Sequence, residues 1–122
     1  MKELKFRVWE ERENAYDTWS YILGANGNLF RNAYGALIGC DKKDYIVERY
    51  TGLKDKNGQE IYEGDIVEYD WYIRNGKSYR VKEKVVFDDM GARVCGHNRI
   101  RNCSGVEVIG NIHENADLLV DK

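Results

Sequence analysis

"TGLKDKNGQEIYEGDIVEY", Thr51–Tyr69, threads three glycines and a dense set of charges between the apolar steps Leu53, Ile61, Ile66 and Val67. Two readings compete for it. A calcium loop spaces oxygen ligands at alternate positions, places glycine at the sixth and closes with a bidentate Glu at the twelfth. Counted from Asp55, the glycine arrives early, at Gly58, and the closing position is Ile66. The stretch therefore reads as backbone corners. Asn57-Gly58 accepts positive φ at little cost, and Gly64-Asp65 turns the chain into a long strand. Glu63 and Asp65 resemble an acid/base pair only on paper. No His or nucleophile lies near them in sequence, and an Asp in a corner usually accepts its own backbone N–H groups.

On either side of this block the pattern continues. Leu4, Phe6 and Val8 alternate with Lys5, Arg7 and Trp9, the period of a half-buried strand. "AYDTWSYIL" offers a second strand, and Asn26-Gly27 reads as a hairpin turn. "LFRNAYGALIG" fits a short strand or a short helix, and "DYIVERY" is again a strand. Downstream, Val67, Tyr69, Trp71 and Ile73 share one face, and Asn75-Gly76 marks a hairpin. "YRVKEKVVF" alternates, "ARVCG" and "VEVIG" supply strands, and "HNRIRNCSG" bridges them. "ENADLL" reads as one helical turn with Asn115 at the N-cap and Asp117 at the positive dipole end. Short strands between regular turn signals predict a mainly β chain whose residues 51–122 form a small barrel. Residues 1–50 form a β-hairpin-rich extension packed on it or adjoining it.

The 122 residues suit one domain-sized unit, and 33% charged residues describe a busy surface. The absence of proline, twelve glycines and nine tyrosines favours strands and tight turns. No apolar run approaches a membrane span, and "MKELKFRVWE" lacks the greasy core of a secretion signal. A cytoplasmic protein with no membrane partner is expected. Cys40, Cys95 and Cys103 follow no disulfide framework, so reduced thiols are the default.

Chemistry-bearing motifs are sparse. Cys95, His97 and Cys103 have metal-ligand residue types, with Cys40 or His113 as further candidates. The Cys-x-His spacing is too close for a zinc knuckle, so packing is the better account and no metal is expected. The sequence carries no nucleophile elbow, HExxH, P-loop or dinucleotide fingerprint, so neither catalytic residues nor cofactors are assigned. The best functional lead is a basic stripe, Arg80, Lys82 and Lys84, with Arg99 and Arg101 downstream. Alternate strand residues share a face and could track a phosphate backbone, with Trp71, Tyr72 or Tyr79 stacking on bases. A net charge of −2 weighs against this, because nucleic-acid modules are usually basic as a whole. Nucleic acid is therefore the alternative, behind a solvated strand face.

Three blocks, "KELKFRVWE", "YTGLKDKNGQEIYEGDIV" and "VEVIGNIHENADLL", occur in an order that resembles the YopX family. Those are small proteins encoded largely by bacteriophages and prophages of Gram-positive bacteria. The resemblance implies an SH3-like barrel around residues 51–67, a β-rich N-terminal extension and no inherited catalytic residues. It also marks Gly52, Gly58, Gly64, Asp65 and Gly110 as recurring corner positions, which with the turn residues Asp55 and Asn57 make up a scaffold signature. The resulting expectation is a non-enzymatic accessory protein of the bacterial host cytoplasm. It would bind an unknown protein partner or a second copy of itself.

Overall fold

The computed structural model describes residues 5–17, 21–72, 74–88, 91–94, 98–99 and 103–120. They are mainly β, with no α-helix, and their strands pair antiparallel. No helix among them is long and apolar enough to cross a membrane. The chain divides into two compact units, Phe6–Glu48 and Met1–Lys5 with Arg49–Lys122. Both this division and the one expected after residue 50 fall inside a continuous strand, Tyr45–Lys54.

In the unit Phe6–Glu48, β1 (Phe6–Glu10) pairs with β2 (Ala15–Tyr16), placing Trp9 opposite Tyr16. The two rings meet edge to face, with centroids 5.0 Å apart. Glu10 turns the chain between these strands, because its carboxylate accepts the backbone N–H groups of Arg12 and Glu13. A second sheet has the order β3 (Tyr21–Leu23), β4 (Leu29–Ala33), β5 (Ala36–Gly39). The expected single strand "AYDTWSYIL" is thus divided between β2 and β3, which belong to different sheets. "LFRNAYGALIG", left open between strand and helix, is a hairpin closed by the Ala33–Ala36 pair with Tyr34-Gly35 at its tip.

In the unit containing Arg49–Lys122, the end of β6 (Tyr45–Lys54) pairs with β7 (Glu60–Tyr62). The larger sheet adds β8 (Asp65–Tyr72), β9 (Ser78–Asp88), β10 (Gly91–Val94), β11 (Asn98–Arg99) and β12 (Ser104–Asn111). Its order is β11-β10-β9-β8-β12, a curled half-barrel. Two register shifts between β12 and β8 supply the bend, since an unpaired extra residue tilts a strand and sharpens its twist. Ile61, Val67, Tyr69, Val85 and Val106 fill the core, with Leu53, Val81, Cys103 and Val108 packed against it. Each such fully buried aliphatic side chain contributes roughly 2 kcal/mol.

The C-terminal turn, Ala116–Leu119, is 3-10. Asn115 stands at its N-cap position without a side-chain cap bond. Its carboxamide oxygen accepts the Asn111 N–H at 3.2 Å instead, so the expected cap is corrected. That carboxamide lies against Gly110, where an added Cβ would come within 2.6 Å of Oδ1.

Candidate functional site

Asp55 is 7% exposed and acts inside the fold. Oδ1 accepts N–H groups from Asn57 and Gln59 at 2.9 Å, and Oδ2 accepts that of Val108 at 3.0 Å. One carboxylate therefore closes its own turn and ties it to β12. Burial pushes its pKa up, but these three donors and Lys56 outweigh that and hold it below the ordinary value. Asn57 also donates its side-chain amide to Glu107. Asp65, 2% exposed, accepts the Tyr62 N–H at 2.8 Å, while Glu63 accepts the Arg49 N–H. Gly52, Gly58 and Gly64 lie at φ 83°, 85° and 87°, a region costly to residues bearing a Cβ. The carboxylates of Asp55, Glu63 and Asp65 thus already have backbone partners.

Strand register decides the fate of the basic stripe. Asp70 stands opposite Arg80, Glu68 opposite Lys82, and Ile66 opposite Lys84. The cations share a face with two carboxylates, a relation hidden in the linear sequence. Arg80 Nε donates to Glu68 Oε1 at 3.1 Å, and Nη1 donates to Asp70 Oδ1 at 3.1 Å and Gly105 O at 2.8 Å. Bonds to Asp70 and Glu68 raise its pKa further. Its fork is occupied by partners in β8 and at Gly105, which weakens its case as a phosphate clamp. Arg99 is placed in β11 opposite Arg93, outside the β8–β9 ladder that holds Arg80. Arg101 lies outside the described residues. Trp71 and Tyr79 face each other across the strands and are 37% and 49% exposed.

Cys95 and His97 likewise lie outside the described residues. Among those described, no group of three or more His, Cys, Asp or Glu side chains is arranged to hold a metal ion. Burial pushes the Cys40 and Cys103 thiols up, away from the thiolate form a nucleophile needs. An open concavity of about 520 Å³ in the unit Phe6–Glu48 is lined by Glu10, Arg12, Asp17, Arg31 and Tyr45, among others. Beside it, Tyr21 donates its hydroxyl to Asp17 at 2.7 Å, and burial followed by that bond raises its pKa.

The feature that sequence reasoning missed lies in the β3–β5 sheet. Ile22, Leu37 and Ile38 are 46%, 58% and 45% exposed, and Tyr34 is fully exposed at the β4–β5 tip. Tyr34 has φ 53° and Gly35 φ 84°, the left-handed pair of a two-residue hairpin. The longer β8–β9 connection, closed by the Tyr72–Ser78 pair, also carries a left-handed pair, Asn75 and Gly76, at φ 78° and 71°. Asn suits that region, whereas a bulky Tyr is strained there. Strained backbone positions of this kind cluster at functional sites. The sequence cue was the Tyr-Gly pair between two short apolar-rich strands, which lacks the usual Asn-Gly form.

A family model described as YopX protein matches residues 5–120. A crystal structure of protein EF1440 from Enterococcus faecalis is similar at TM-score 0.67 and 26% identity, covering 98% of this chain and 100% of that one. No curated protein matches.

Proposed function

The chain belongs to the YopX family, and from that premise we propose that it is a non-enzymatic protein-interaction module. In this reading it is a phage- or prophage-encoded accessory protein acting in the bacterial host cytoplasm. The curled sheet serves as an SH3-like barrel scaffold, and the β3–β5 hairpins present the contact surface. The observation that carries it is Tyr34, fully exposed at a left-handed tip and accompanied by exposed Ile22, Leu37 and Ile38. Aromatic side chains are enriched at the cores and hot spots of interfaces. Nucleic-acid binding through β9 ranks lower, since Arg80 is engaged by Glu68 and Asp70.

Affinity capture from infected host cells, wild type beside Tyr34→Ala, tests this reading. A protein captured by the wild type and lost with the variant is the expected result. An unchanged capture profile would remove Tyr34 from the contact. Fluorescence anisotropy with DNA and RNA across a salt series supplies the opposing test. Tight, salt-sensitive binding abolished by the double change Lys82→Glu and Lys84→Glu would replace the reading with the nucleic-acid one.

A further inference from the structure

Strand β5 is an edge, being last in the order β3-β4-β5, and all four of its residues are exposed. Its hydrogen-bonding parity is set by Cys40, whose N–H reaches Leu29 O at 2.9 Å, and by the Ala33–Ala36 closing pair. In an antiparallel ladder the direction alternates residue by residue. Ala36, Ile38 and Cys40 therefore point their amides at β4, and Leu37 and Gly39 point theirs outward. Natural edges are commonly guarded by lysine, proline or an inward charge. From Ala33 to Cys40 the sequence is AYGALIGC, with none of these.

We propose that β5 pairs antiparallel with β5 of a second copy of this chain, in a register centred on Ile38. Resting on the interaction reading above, this names the partner. Leu37 of each copy then exchanges backbone bonds with Gly39 of the other, and the two Ile38 side chains meet on the two-fold axis. The register has a steric reason. On the outer face, Ile22, Phe30 and Gly39 form one row across the three strands. Gly39 leaves a gap there, with nothing within 4 Å of where a Cβ would sit. Leu37 of the second copy falls next in that row and covers the gap. Leu37 and Gly39 lie two residues apart on one strand, so a two-fold axis places each leucine over the partner's side-chain-free glycine at once. β5 carries no charge of its own, so the paired residues of two copies meet without like-charge repulsion. Edge pairing covers Leu37 and Ile38, which are 58% and 45% exposed in the single chain, together with the outward backbone groups of Leu37 and Gly39.

Sedimentation equilibrium of the full chain over the micromolar range tests the pairing. The wild type is expected to fit a monomer–dimer equilibrium. Leu37→Lys places a charge at the contact, and Gly39→Val fills the hole. Each should weaken the dimer about tenfold or more, as loss of a central contact does. Both sites are open in the single chain, and unchanged circular dichroism and thermal unfolding at low concentration will show that the variants fold. Ile38→Cys should give an intermolecular disulfide under mild oxidation where the wild type gives none. A wild type monomeric throughout, or a dimer indifferent to Leu37→Lys and Gly39→Val, overturns the proposal. A monomer that still captures a cellular protein through Tyr34 overturns self-pairing alone and leaves the interaction reading in place.

Discussion

The unit containing Arg49–Lys122 encloses Ile61, Ile66, Val67, Tyr69 and Val85 at 1% exposure or less. Among the described residues of Phe6–Glu48, the buried apolar side chains are Val8, Trp9 and Leu29. Part of that thinner interior is polar. Glu48, 2% exposed, accepts Arg7 Nε and the Tyr16 hydroxyl at 2.8 Å each, and the Arg7 guanidinium stacks over the Tyr16 ring at 4.3 Å. Meanwhile Ile22, Leu37 and Ile38 stay outside. One unit spends its apolar residues on a core, and the other leaves several facing outward. On the proposed interaction reading, the first unit is the scaffold and the second carries the contact surface.

Three measurements strain that comparison, in order of expected size. Trp9→Ala removes the largest buried side chain of the thin core. It should cost about 4 kcal/mol in urea unfolding, where few neighbours can collapse into the space. A loss under about 1 kcal/mol, the scale of a tolerated repacking, would mean that Phe6–Glu48 is held by something other than Trp9 and its ring contact.

Asp55→Asn probes the other unit. Its carboxylate keeps three N–H donors, and the substitution should cost about 2 kcal/mol near neutral pH. The folded pKa lies below the unfolded value of about 3.9, so the contribution is complete above that value. It is lost as pH falls through the folded pKa. Urea midpoints measured from neutral to acid pH should fall less steeply for the variant than for the wild type. Parallel curves would show that Asp55 is not the acid-sensitive group.

Tyr34→Asn is the smallest effect and points the other way. Asn relieves the left-handed strain, as at Asn75, so the single chain should gain up to about 1 kcal/mol. A loss of stability on this change would mean that the Tyr34 ring supports the fold, and the contact surface would lose its main residue.

Several parts of this structure were legible in the chain. Asp55–Gly58, Gly64-Asp65 and Asn75-Gly76 were readable as turns because turn chemistry is settled within about four residues. The alternation in β1, β8 and β9 was readable because the strand period is two. Other parts were not. Arg80 looked free because its partners, the Glu68 and Asp70 carboxylates and the Gly105 carbonyl, lie 12, 10 and 25 positions away. Asn115 met the rule for an N-cap, yet its carboxamide oxygen accepts the Asn111 N–H instead. "LFRNAYGALIG" was ambiguous because its turn uses Tyr where the common signal is Asn.

By itself, then, the chain determined where the backbone bends and that the segments between are strands, since glycine, Asn and Asp act on their immediate neighbours. Tertiary structure alone decided which cations meet carboxylates and which apolar side chains remain in water. Those outcomes depend on strand register and sheet order, which bring together residues that sequence distance keeps apart.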